Sequence, residues 1–201
     1  MSDLLTRDRL VFNQKAKLIE MNTEFKIRDT EGNEVGLIRQ ENQSTAKKIA
    51  RLVSSLDQFM THTLGVFDAG GQRVVELTRP RKIMKSTVLV KDGTGAEVGR
   101  IVQRNMVGKI RFGLEDAAGN EIGSINAENW RAWNFGIKDA AGTEVARITK
   151  TWEGLAKTLF TTADDYLLEV SGAPDLTLRR MILASAAGVD LALKQDARGL
   201  N

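Results

Sequence analysis

The sequence predicts a mainly β fold: a closed antiparallel barrel wrapped around its own C-terminal helix. Three observations predict it. One strand–turn–strand pattern occurs five times along the 201 residues. The second strands of the pattern carry small and apolar residues on one face and polar residues on the other. The stretch Met181 to Leu193 is apolar nearly all round, which marks a helix buried on every side. A sheet with many hairpins and one such helix has an economical solution, in which the sheet closes and the helix fills the lumen.

The chain opens with a polar leader, Met1 to Leu10, that carries Asp3, Arg7, Asp8 and Arg9. It lacks an apolar core of signal-peptide length and a glycine at position 2, so neither secretion by that route nor myristoylation is expected. Residues 1–8 are expected to form a flexible arm on a single domain of 1–201.

The five hairpins follow. They run from Phe25 through Gly32 to Ile38, Val66 through Gly71 to Leu77, Val88 through Gly95 to Ile101, Phe112 through Gly119 to Ile125, and Phe135 through Gly142 to Ile148. Each turn starts with an aspartate (Asp29, Asp68, Asp92, Asp116, Asp139), whose carboxylate can accept backbone N–H groups. Each ends with a glycine, which takes positive φ without penalty. In the second strands, Gly36/Ile38, Gly99/Ile101, Gly123/Ile125 and Ala146/Ile148 share a face, because side chains alternate along a strand. Arg100, Ser124 and Arg147 lie on the other. The small-plus-isoleucine face is predicted to point inward, with Gly99 and Gly123 opposed to Ala184, Ala187 and Gly188 of the final helix, since small residues let another element come close.

The glycine spacing is 39 residues between the first two hairpins and 23 or 24 between the later ones, so the first gap holds an extra piece. Within it, Ile49, Leu52, Val53 and Leu56 fall at i, i+3, i+4 and i+7, the stripe of an amphipathic helix over 45–56. Lys47, Lys48 and Arg51 fill its other side. That helix either packs on the barrel or lies on a membrane surface. The last element is the central helix, 175–194, with Asp175 as N-cap. It is too short, and too interrupted by Asp190, to span a membrane with about 20 apolar residues.

Composition removes several chemistries. Cysteine is absent, which excludes disulfides, thiolate metal sites, thiol nucleophiles and palmitoyl anchors. The one histidine, His62, read as a loop residue, supports neither an ordinary zinc site nor a serine triad. No glycine run is followed by the Lys-Ser/Thr of a phosphate loop. The aspartates recur at every turn and are therefore turn chemistry, not acid–base pairs. No catalytic constellation is present, and no enzyme activity is expected. The net charge of +3 does not mark a nucleic-acid binder. The basic residues do cluster: Arg79, Arg81, Lys82 and Lys85 in one run, Lys47, Lys48 and Arg51 in another. Each cluster is either a solvated face or a contact for anionic headgroups. Trp130, Trp133 and Trp152 fit barrel packing, a plug at the barrel mouth, a ligand site or a membrane interface.

Several stretches resemble the phospholipid scramblase family. Val11-Phe12-Asn13-Gln14 followed by Phe25 to Gly32 is similar to its opening strands, Leu77-Thr78-Arg79-Pro80 to its arginine–proline step, and Val98 to Gln103 to its glycine–valine–glutamine strand. Most specific is Lys150-Thr151-Trp152-Glu153-Gly154-Leu155, then Leu159 to Tyr166, then the helix to Asp190. The resemblance covers Leu10 to Lys194 and implies the twelve-stranded barrel shared with Tubby C-terminal domains and LURP-one-related proteins. It also implies an acidic calcium segment, which maps onto Thr162 to Asp175. Thr162 stands where the family has its first aspartate, leaving Asp164, Asp165 and Asp175. That is a weak calcium site at best, since calcium takes about six to eight oxygens. No other cofactor is expected.

Two functions remain open. One is a scramblase-like, membrane-associated protein that binds anionic phospholipid surfaces peripherally at the cytoplasmic face, through Lys47, Lys48, Arg51, Arg79, Arg81, Lys82 and Lys85. The other is a soluble ligand-binding or regulatory barrel with no lipid transport. Nucleic acid is not an expected partner, because no aromatic–basic interleaving accompanies the charge clusters.

Overall fold

The computed structural model describes residues 2–13, 24–41, 62–80, 87–105, 111–129, 134–149 and 165–198. Among them are twelve strands: β1 Arg9–Asn13, β2 Glu24–Arg28, β3 Glu34–Glu41, β4 His62–Asp68, β5 Arg73–Arg79, β6 Thr87–Asp92, β7 Glu97–Gln103, β8 Arg111–Asp116, β9 Glu121–Asn129, β10 Asn134–Asp139, β11 Glu144–Thr149 and β12 Asp165–Val170. Neighbours in sequence pair antiparallel, and β1 pairs β12, so the barrel is closed. One long helix, α1 (Leu176–Arg198), follows β12. This is the predicted fold, with the predicted number of strands. His62, read as a loop residue, instead opens β4 opposite Arg79.

The five turns are built alike, and local chemistry explains them. In the fourth, the Asp116 N–H donates to the Asn120 carbonyl at 2.9 Å and the Gly119 N–H to the Asp116 carbonyl at 3.0 Å. The Asp116 carboxylate accepts a further bond from the Asn120 N–H at 2.8 Å. Gly119 sits at φ 87°, which side-chain-bearing residues rarely adopt, and the other four turn glycines lie between 76° and 90°.

Every hairpin also carries a β-bulge just past its turn. Ile27 pairs Gly36 but Arg28 pairs Glu34, so Val35 is the extra residue. Val74, Val98, Ile122 and Val145 repeat the arrangement. Bulges bend and twist the strand that carries them. Five at one end help curl the sheet into a barrel.

The alternation beyond the bulges is as predicted. Gly36, Ile38, Gly99, Ile101, Gly123, Ile125, Ala146 and Ile148 are buried, while Arg100 is exposed and Ser124 and Arg147 are intermediate. The reason for the small residues differs from the expectation. A Cβ on Gly99 would stand 2.0 Å from the Glu115 carbonyl oxygen, and one on Gly123 would stand 2.5 Å from that of Lys138. The close neighbour is the backbone of the adjacent strand, not Ala184, Ala187 or Gly188. The helix approaches Gly123 through the Leu178 side chain, at 3.5 Å, farther than the strand backbone.

α1 fills the lumen as predicted. Met181, Ile182, Leu183, Ala184, Ala186 and Ala187 are at most 4% exposed. They join the core with Leu77, Val90, Ile101 and Leu114 from the wall. Burying a large aliphatic side chain is worth about 1.5–3 kcal/mol, so the helix and wall stabilise each other strongly. Asp175 is the N-cap, its carboxylate accepting the Leu178 N–H at 2.8 Å. The helix runs to Arg198, one turn past the expected end at 194. Among the described residues no helix is long and apolar enough to cross a membrane.

The N-terminal residues correct another expectation. Residues 2–8 are not a loose arm. Asp3–Leu5 form one 3-10 turn, and Leu4 and Leu5 are 2% and 5% exposed within the core. The leader is short and polar at both ends, and its Leu-Leu pair is the only signal in it for burial.

Candidate functional site

Topology gives the barrel two unlike ends. Antiparallel pairing throughout sends β2, β4, β6, β8, β10 and β12 toward one end, where all five turns lie. The 3-10 turn and the start of α1 lie there too. Every other connection begins and finishes at the opposite end. The strand ends there bracket 14–23, 42–61, 80–86, 106–110, 130–133 and 150–164. Those six segments contain twelve Lys/Arg and four Asp/Glu. At the turn end, the five turns, the leader 1–8 and the link 171–175 contain nine Asp/Glu and one Arg. By sequence, the connecting segments are therefore basic and the turns acidic.

Of the residues predicted to meet headgroups, Lys47, Lys48, Arg51, Arg81, Lys82 and Lys85 lie outside the described residues, as does the predicted helix at 45–56. Arg79 is placed, and differently from its neighbours in sequence. It ends β5 on the same face as Val75 and Leu77 and is 6% exposed. Strand alternation points it into the barrel, a direction its register with Leu77 already encodes. Trp130, Trp133 and Trp152 lie outside the described residues.

The calcium candidates are not brought together. Asp165 opens β12 and is 3% exposed. Asp175 follows the other end of that strand and is engaged as the helix cap. The strand itself spans roughly 16 Å, far beyond the reach of one ion with ligands at about 2.3–2.6 Å. Asp164 lies outside the described residues. Among those described, no three histidine, aspartate or glutamate side chains form a metal-binding group.

The turn end carries an organised set of charges that the sequence reading passed over. Arg7 Nε donates to Asp3 at 2.7 Å, and its Nη1 to Asp29 at 3.3 Å. Arg179 of α1 donates to the Leu5 carbonyl at 3.1 Å and to Asp8 at 3.3 Å. Arg180 lies 3.7 Å from Asp92. Asp29 is largely buried, which alone would raise its pKa. Bonds from the Asn33 side chain, from the Asn33 and Glu31 N–H groups, and the nearby Arg7 outweigh that and hold it below the usual carboxylate range. Asp92 is also held low, chiefly by the Thr94 hydroxyl against an opposing burial effect. The available signal was Arg179-Arg180 near the start of a helix, where positive charge opposes the helix dipole.

A shallow cleft of about 690 Å³ lies beside β11 and β12, lined in part by Asp8, Arg9, Glu144, Arg147 and Glu169. Its charges are paired: Arg9 with Glu169 at 3.1 Å, Arg147 with Glu144 at 2.7 Å, Asp8 with Arg179. Such a floor is largely self-compensating.

The sequence profile of the family described as Scramblase matches residues 1–193. No curated protein matches the chain, and no solved structure does.

Proposed function

Because the chain belongs to the scramblase family, we propose that it binds anionic phospholipid membranes peripherally through the connecting-segment end of its barrel, at the cytoplasmic face and without catalysing a reaction. The observation that supports this reading is the basic composition of the segments whose flanking strand ends lie opposite the acidic turns. Twelve of the chain's 29 Lys and Arg fall in the segments bracketed by strand ends opposite the turns, with four acidic residues among them. Each basic residue close to an anionic leaflet contributes about 1 kcal/mol, and the attraction decays within a Debye length of roughly 8–10 Å. Several acting together give reversible, salt-sensitive binding. The acidic turn end is repelled by the same surface, so the charge division also orients the barrel. The packed lumen favours binding over translocation. A polar headgroup moving through the bilayer needs a polar path, and Met181, Ile182 and Leu183 occupy the interior.

The experiment is vesicle co-sedimentation at low and high salt, comparing wild type with Arg81→Glu/Lys82→Glu. Binding to anionic but not zwitterionic vesicles at low salt, weakened by the double substitution and by salt, supports the reading. Equal binding by both proteins, or none to anionic vesicles at low salt, overturns it in favour of a ligand-binding barrel.

A further inference from the structure

The barrel's turn end is closed by residues that come before the first strand. Leu4 and Leu5 enter the core at the mouth, where the start of α1 lies. A Cβ on Gly36 would stand 2.5 Å from the Phe67 carbonyl oxygen and 2.9 Å from Leu4 Cδ1, so the glycine makes room for the adjacent strand and for the leucine alike. The segment's backbone bonds to the sheet at its Asp8 end, where the Asp8 carbonyl accepts the Val170 N–H at 2.7 Å. Elsewhere it is held by side chains. Arg7 joins it to the first turn through Asp29, and Arg179 joins it to the helix through the Leu5 carbonyl and Asp8. Arg179 belongs to a helix beginning that has no acidic residue in its first turn and two successive arginines just beyond it. Two guanidiniums there oppose the positive end of the helix dipole, an effect that Asp175 at the N-cap counters in part. Arg179 and Arg180 are further paired with Asp8 and Asp92, of which Asp8 lies in this segment.

We propose that residues 2–8 are a lid latched over the barrel mouth, and that its opening is the event that unlocks the central helix. Opening withdraws two leucines from the mouth and takes the Leu5 carbonyl from Arg179, while Asp8 stays at the Val170 hinge. The helix beginning is then exposed and has lost one of the groups that hold it. Closing restores both. The lid and the first turns of α1 therefore open together, ahead of the strands, as a low-stability unit. The latch rests on partly exposed ion pairs, so it loosens with salt.

The test is amide hydrogen exchange of the full chain, read by peptide in wild type, Arg7→Ala and Arg100→Ala. Arg7 touches Asp3 and Asp29 and makes no bond to the helix, whereas Arg100 pairs with Glu97 on the outer wall. Arg7→Ala is expected to speed exchange in 2–8 and in 178–184 by about tenfold or more, leaving β4 to β9 unchanged. Arg100→Ala leaves both regions as in wild type. In wild type, 1 M salt gives the Arg7→Ala pattern. Faster exchange of the lid alone, unchanged exchange everywhere, or faster exchange throughout the barrel overturns the proposal. Should Arg7→Ala fail to fold, the salt series on wild type decides between the same outcomes.

Discussion

The Tyr166 hydroxyl of β12 donates to the Ala186 carbonyl of α1 at 2.8 Å, a buried bond that joins the wall of the barrel to the helix inside it. Its ring stacks on Phe12 at 5.0 Å, with 4° between the planes, tying β1 to the same point. Tyr166→Phe keeps the stack and removes the bond, with an expected loss of about 0.5–1.5 kcal/mol. Tyr166→Ala removes both and should cost about 3–5 kcal/mol. Urea denaturation of the two variants checks the difference. Equal losses would mean the ring stack contributes nothing, and no loss in Tyr166→Phe would mean the hydroxyl contributes nothing.

Two buried glycines should respond differently to alanine. A Cβ on Gly99 meets a backbone oxygen, Glu115 O, which moves only if the sheet moves. Gly99→Ala is expected to cost about 1–3 kcal/mol or more. A Cβ on Gly188 meets only Leu77 Cδ2, at 2.9 Å, the end of a side chain that can turn. Helix propensity favours alanine there by about 1 kcal/mol, so Gly188→Ala should come out near neutral. Thermal melts of both decide the point. A strongly destabilised Gly188→Ala would show that Leu77 has nowhere to go.

Acid should weaken the fold through Asp29 and Asp92. Both carboxyls are held below their ordinary values in the folded state. Their contribution is complete above the unfolded value, about 3.9, and is lost as pH falls through the lower folded value. Stability is thus expected to be level above about pH 5 and to fall below about pH 4. Asp29→Asn removes one linked proton and should flatten the fall. Urea midpoints from pH 2 to 7 measure this, and an unchanged slope in Asp29→Asn would contradict it.

Calcium should not stabilise the protein at micromolar concentrations. Asp165 opens β12 and Asp175 lies past its other end, already bonded to the Leu178 N–H. Asp175→Ala should cost about 1 kcal/mol as a lost cap. The same loss is expected with calcium or with chelator. Calorimetry showing binding tighter than about micromolar, lost in Asp175→Ala, would reassign the residue as a ligand.

The sequence by itself determined what local chemistry decides. An aspartate, a glycine three residues on and flanking alternation are enough to fix a turn, so five hairpins were legible one at a time. The all-round apolar run from Met181 identified a buried helix, because no other environment satisfies it. Closure of the barrel followed from these two together. What the tertiary structure decided concerns groups brought together from distant parts of the chain. The glycines at 99 and 123 were read as seats for the helix, but the five bulges fold the next strand's carbonyls against them. The bulges follow from cross-strand register, which a single strand does not display. The leader was read as an arm because burial of Leu4 and Leu5 depends on a mouth that exists only once β3 and α1 are in place. Arg7 and Asp29, or Arg179 and Asp8, stand 22 and 171 residues apart in sequence. Charge partners at such separation are set by the closure of the sheet, and no local pattern records them. Each connecting segment's charge is likewise in the sequence, and only antiparallel pairing around the whole barrel assigns the strand ends that flank it to one end.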